Sequence, residues 1–200
     1  MLLFAAILAA LTSVSLPWLA GRGLLLAMTA LYAASLLAVL IALLPMGRMA
    51  LPALALRGAG WKPVVLGSLG TVALSVAVSE IGPELEGMKQ IAELVRTPEA
   101  VVASVLVLGG LAPLAEELAF RGLLYGWIEG RWGVRPAFTV SAIAFAAAHF
   151  DPTFAYMVAV LPLALLFSWL RWRTNSLLPS LVAHIVNNTF AVLSAAWLGS

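Results

Sequence analysis

Six polar side chains, Glu116, Glu117, Arg121, His149, His184 and Asn188, are set into otherwise apolar stretches of the sequence, with Asn187 beside the last of them. Carboxylates, imidazoles and an amide can accept, relay and donate protons. Together they could carry acid–base chemistry on a buried substrate, or an ion or proton path through lipid. An ionised residue at the centre of a membrane helix costs roughly 2.5–3.5 kcal/mol, so three unpaired charges in one helix would cost about 8–10 kcal/mol. These groups must therefore be paired or line a wet cavity. Glu117 and Arg121 are four residues apart with the acid first, the favourable order for an ion pair on one helix face. Helical pitch turns Glu116 about 100° away from that pair, so one carboxylate is held and the other is left free. His184 and Asn188 are also four apart and project from a single face, and Phe145 stands one turn before His149.

Each residue has a plainer reading when taken alone. Glu117 and Arg121 make a structural clamp that neutralises an acid in low dielectric. A histidine or asparagine can simply bond a neighbouring helix. Asp151, just before Pro152, reads as a cap or interface residue, and Gly109, Gly110 and Pro113 as a loosening of the helix ahead of the acids. Taken jointly, these residues are nearly all the polar groups placed within the apolar stretches, and an intramembrane ionisable residue is by default a functional one.

The elements that must hold them follow from composition. Of 200 residues, 63% are hydrophobic and 10% charged, against about 25% charged in a soluble domain. The expectation is an all-α, polytopic transmembrane helical bundle forming one integral membrane domain over 1–200. Apolar stretches fall at 2–20, 24–44, 63–81, 101–128, 135–150, 154–170 and 176–197. At about 20 residues per span, they predict about seven spans, within a range of about six to eight. Continuous apolar runs such as Leu36 to Leu44 exclude the alternation of a transmembrane β-barrel. The stretch 2–20 lacks a basic leader and is expected to be a retained span and not a cleaved signal peptide.

Arg48, Arg57, Lys62, Arg131, Arg135, Arg171 and Arg173 fall in alternate loops, whereas the 82–99 loop holds Glu84, Glu86, Glu93 and Glu99 against Lys89 and Arg96. Positive charge collects on the cytoplasmic side, which puts the amino terminus inside and the carboxyl terminus outside. Trp18, Trp61, Trp127, Trp132, Trp169 and Trp172 lie near span ends as an interfacial belt. Residues 81–96 read as a surface helix, with a substrate gate as the second reading. No inverted repeat of the transporter kind is visible. With no cysteine, disulfides, thiolate metal sites and a cysteine nucleophile are excluded. A net charge of +2 without a basic tract argues against nucleic acid as a partner. Abundant alanine and a preference for arginine over lysine hint at a GC-rich bacterial source, and so at a multi-pass protein of a bacterial plasma membrane. Counting 1.5 Å per residue from the span ends brings Glu116, His149 and His184 to a similar depth.

At these residues the chain resembles the CPBP family of intramembrane proteases, which includes Rce1-type CaaX-processing endopeptidases and bacterial Abi proteins. The family pattern is Glu-Glu-x-x-x-Arg, Phe-x-x-x-His and His-x-x-x-Asn on successive membrane helices. It is matched here by Glu116-Glu117 with Arg121, Phe145 with His149, and His184 with Asn188. The resemblance covers about 101–197 as a catalytic core and leaves 1–100 as peripheral helices and loops. It implies an intramembrane endopeptidase in which Glu116 and His149 activate a water, while His184 and Asn188 donate hydrogen bonds to the developing oxyanion. Glu117, Arg121 and Phe145 would be supporting residues. The implied partners are the bilayer and a peptide or membrane-anchored protein substrate: a prenylated tail, a leader peptide or a carboxyl-terminal anchor.

No cofactor is expected under the glutamate-type reading. Zinc is the alternative, because Glu116, His149 and His184 form a His₂Glu set with an open fourth position, although no His-Glu-x-x-His helix accompanies it. Two rival functions are a small transporter or channel using the same charged residues as a path, and a non-enzymatic membrane immunity or scaffold protein.

Overall fold

The computed structural model describes residues 23–82 and 86–198. The apolar stretch 2–20 and Trp18 lie outside the described residues. Seven helices account for most of what is described: α1 (Leu24–Leu43, prolonged by a 3₁₀ segment Leu44–Met49), α2 (Trp61–Ile81), α3 (Glu86–Leu94), α4 (Pro98–Trp132), α5 (Val134–Ala147), α6 (Ala155–Thr174) and α7 (Leu178–Leu198). Among the described residues five helices, α1, α2, α4, α6 and α7, are long and apolar enough to cross a bilayer, and no strand occurs. The protein is an all-α integral membrane bundle.

The helix ends are written locally. Thr97 caps α4 by accepting from the Ala100 N–H at 3.3 Å, with Pro98 in the first turn where its missing N–H costs nothing. Gly133, at φ 84°, makes the tight reversal between α4 and α5 that an L side chain would resist. At the same end of the bundle, the Leu177 N–H donates to the Ala55 carbonyl at 3.0 Å and the Ser176 hydroxyl to the Arg57 carbonyl at 2.5 Å. The connections before α2 and before α7 are thereby tied together at the arginine-rich end. Trp61, Trp127, Trp132, Trp169 and Trp172 are all exposed, as an interfacial belt requires.

Two details differ from the sequence reading, and a third agrees with it. Helix α5 has 14 residues, about 21 Å of rise, and is too short to cross a ~30 Å hydrocarbon layer alone. It stops at Ala147, where the amides of Ala148, His149 and Phe150 close a tightening last turn. His149 is therefore in the turn after the helix. Asp151 is the cap expected of it: it accepts from the Thr153 hydroxyl, the Thr153 N–H (2.8 Å) and the Tyr156 N–H (2.7 Å), fixing the entry to α6. Finally, Arg171 does not sit in a loop. It is buried at the end of α6, donating to the Arg121 carbonyl (3.2 Å) and the Asn175 side chain (3.1 Å) with its guanidinium over Tyr125.

Helix α4 is the axis of the bundle, and its hydrogen-bond ladder is irregular. Two π-helical turns, Val105–Leu111 and Leu118–Leu124, bracket the acids. Where the α ladder is interrupted, carbonyls are taken up by other helices: Leu108 by Asn188 of α7 (3.1 Å), Phe120 by Ser141 of α5 (3.0 Å) and Arg121 by Arg171 of α6. Gly109 lets α7 come close, since a Cβ there would meet the Thr189 hydroxyl at 2.6 Å and its Cα at 3.4 Å.

Two outcomes are expected. Gly109→Ala should overpack this crossing and cost about 1–3 kcal/mol, read as a lowered midpoint of unfolding in detergent. The Asp151 carboxyl is held below the usual aspartate range, first by its bond from the Thr153 hydroxyl and then by backbone amides. A folded-state value below the unfolded one means that its contribution is present at neutral pH and is lost as pH falls through the folded value. Proteolytic protection of 148–155 should fall on acidification, and this acid dependence should vanish in Asp151→Asn.

Candidate active site

Three elements, α4, α5 with the turn after it, and α7, bring the sequence-predicted residues to one level. Glu116 lies sixteen residues from the end of α4 at Trp132, about 24 Å of rise, and His149 follows α5 about 22 Å from Val134. His184 enters from the second turn of α7. Its imidazole lies between the two adjacent acids: Nδ1 is 3.2 Å from Glu117 Oε1, and Nε2 is 3.6 Å from Glu116 Oε2. Glu117 is also 3.1 Å from Arg121, and both are fully buried. The expected clamp therefore exists, but it reaches further than the i,i+4 pair: Arg121 donates again to the Ala164 carbonyl of α6 at 2.9 Å. Glu116, 14% exposed, faces the cavity. Two carboxylates, one guanidinium and an imidazolium sum to zero, so the cluster is neutral when His184 carries its second proton.

Phe145 is the packing hub of the site. Its ring lies 4.8 Å from that of His149 and 5.6 Å from that of His184, and the Arg121 guanidinium sits 4.2 Å above it. Phe167 stacks on His184 at 4.6 Å and 22°. His149 Nδ1 is 2.9 Å from the Phe145 carbonyl, which can only accept. The proton is thus on Nδ1 and the lone pair of the neutral ring on Nε2. His149 lines the same cavity as Glu116 and His184.

Asn188 also lines that cavity, one turn beyond His184. Its amide nitrogen donates to the Leu108 carbonyl at 3.1 Å, leaving the second N–H of the same nitrogen for another acceptor. Its oxygen accepts from Asn187 at 3.4 Å.

Sequence reasoning missed two residues. Tyr32 of α1 and Tyr156 of α6 line the cavity with Glu116. Tyr156 also meets the His149 ring edge-on at 5.4 Å. The available signal was the scarcity of tyrosine: two of the chain's three tyrosines stand here.

Among the described residues no three His, Asp or Glu side chains converge as a metal site. His184 instead presents its two nitrogens to two different carboxylates.

Fold and site together define a polytopic membrane protein with a buried Glu–His–Asn cluster. Residues 98–190, a little under half of the chain, match the family described as type II CAAX prenyl endopeptidase Rce1-like. Among curated proteins the chain is similar to the "UPF0177 protein YxdF" of Lactococcus lactis subsp. lactis (strain IL1403), 29% identical over 90 residues, which is 45% of this chain and 49% of that protein. It is also similar to the "Putative membrane peptidase YdiL" of Bacillus subtilis (strain 168), 26% identical over 113 residues, which is 56% of this chain and 44% of that protein. The matched parts span about half the length of these relatives. No solved structure matches the chain.

Removing one partner of a buried ion pair strands the other. Arg121→Met should cost about 3–5 kcal/mol, measured as loss of folded protein in detergent, and Glu117→Gln added to it should recover part of that loss.

Proposed function

We propose that this protein is an intramembrane endopeptidase of the glutamate type, hydrolysing a peptide bond presented to Glu116 in a bacterial plasma membrane. The observation that carries this reading is the juxtaposition, around one cavity, of an accessible carboxylate, an imidazole with its Nε2 lone pair free, and a second imidazole held by a buried acid.

A water between Glu116 and His149 attacks the scissile carbonyl carbon as Glu116 takes one of its protons. The bond from water oxygen to carbon forms while the carbonyl π pair moves onto oxygen. His184 Nε2–H and the second N–H of Asn188 donate to this oxyanion, and one such donor in a protease is worth about 3–4 kcal/mol. The C–N bond then breaks, its pair leaving on nitrogen, which receives the proton held by Glu116. Glu117 takes the His184 Nδ1–H and so keeps Nε2 turned toward the cavity. Arg121 neutralises Glu117, and Phe145 spaces the two imidazoles. No step passes through a metal. The matched family's endopeptidase description and the peptidase name of the second relative support the class of reaction.

Glu116→Gln, His149→Ala and His184→Ala should abolish cleavage while the folded protein stays in the membrane. Cleavage is scored by terminal proteomics of membrane proteins from cells carrying each variant. Turnover surviving in Glu116→Gln would remove the general-base role. Activity should persist in chelator with metal-free purified protein, and loss of activity that returns only with zinc would replace the glutamate mechanism.

A further inference from the structure

The cavity, about 640 Å³, extends well beyond Glu116. It follows α7 from His184 to Leu198, a run of fourteen residues or about 21 Å of rise. Its other walls are the first turns of α1, the last turns of α2, the early half of α6 and one face of α3. Met88 and Leu198 line it and are themselves exposed. The cavity therefore reaches the surface at the end of the bundle where α3 lies. The opposite end carries seven of the eleven Lys and Arg residues against one acid, Glu129. Among the described residues the α3 end has Lys89 and Arg96 against Glu80, Glu86, Glu93, Glu99 and Asp151. Lys and Arg accumulate on the cytoplasmic side of membrane proteins, so the mouth faces the other side.

A second observation bears on the occupant. Asn187 is 6% exposed, lines the cavity and has a buried Oδ1 with no hydrogen-bond partner among the described residues. A buried acceptor calls for a donor. A polypeptide brings backbone N–H groups, whereas an acyl or prenyl chain brings none. Extended chain advances about 3.4 Å per residue, so about six residues fill the length of the cavity.

We propose that the cavity admits an extended, largely apolar polypeptide segment of about six residues from the non-cytoplasmic face, with Asn187 accepting one of its backbone N–H groups. This names the substrate of the peptidase reading and rests on it: the substrate is an exported or membrane-anchored chain presented on the outer side, not a lipid-modified tail arriving from the cytoplasm.

The absence of cysteine makes the test clean. Single variants Ser79→Cys and Ser194→Cys mark the mouth, and Arg57→Cys and Arg135→Cys mark the opposite end. With a membrane-impermeant maleimide, the mouth cysteines should label in intact spheroplasts and the other two only in inverted vesicles. The reverse pattern overturns the proposal. In right-side-out vesicles given a quenched fluorescent apolar decapeptide outside, a bulky maleimide on Ser79→Cys or Ser194→Cys should abolish cleavage, and one on Arg57→Cys, attached from inside, should leave it intact. Asn187→Leu should raise KM about tenfold with kcat nearly unchanged, the signature of lost substrate binding. Undiminished cleavage through a blocked mouth, or an unchanged KM, overturns the proposal while the peptidase reading stands. If the unmodified chain cleaves nothing, the peptidase reading falls. The labelling pattern, with fluorescence anisotropy of the same decapeptide on wild type and Asn187→Leu, then decides the entry side and the occupant separately.

Discussion

A charge surrounded by lipid must find its counter-charge within the protein, and the bundle is organised around one solution to that requirement. Arg121 and Glu117 lie on the same helix and are both fully buried. Each remaining contact they make recruits another helix: the Ala164 carbonyl from α6, His184 from α7 and the Phe145 ring from α5. A pair that would stabilise an isolated helix only slightly becomes the junction of four helices, because no water competes for its hydrogen bonds. The consequence for chemistry is orientation. With one face of His184 stacked on Phe167 and Nδ1 held by Glu117, its remaining nitrogen has a single direction in which to point.

The irregular ladder of α4 serves the same end. A regular α-helix satisfies its own carbonyls and offers nothing to its neighbours. The π-helical turns on either side of Glu116 and Glu117 accompany carbonyls that Asn188, Ser141 and Arg171 receive, fastening α7, α5 and α6 to the helix that carries the acids. Close packing at Gly109 completes this arrangement from the α7 side. Stability and site geometry thus rest on the same backbone segment, which makes substitutions in α4 felt in both.

Much of this was legible beforehand. Composition fixed an all-helical membrane bundle, and the apolar stretches found α1, α2, α4, α6 and α7 to within a few residues, because a lipid solvent imposes length and hydropathy on each span. The acid-first spacing of Glu117 and Arg121 foretold their pairing, and three motifs on three stretches foretold the company of Glu116, His149 and His184. The length of α5 was not legible, since an apolar run looks alike whether it crosses the layer or stops at a turn. The burial of Arg171 was hidden by its position at a span end, where a snorkelling or loop arginine is the ordinary expectation.

What the sequence determined by itself is therefore local or solvent-imposed: which segments enter lipid, which side chains share a helix face, and that the polar groups within them need partners. Only the tertiary structure decided which partners they find. It set His184 between two carboxylates, turned Asn188 toward the Leu108 carbonyl, brought Tyr32 from α1 to the cavity that Glu116 lines, and left the Asn187 Oδ1 without a partner among the described residues. The physical reason is that spacing along one helix fixes an angle about that helix's own axis, whereas a contact between helices depends on the crossing geometry and axial offset of two. Those are set by the close packing of small residues and by irregular backbone, features that leave only a faint trace in the order of the amino acids.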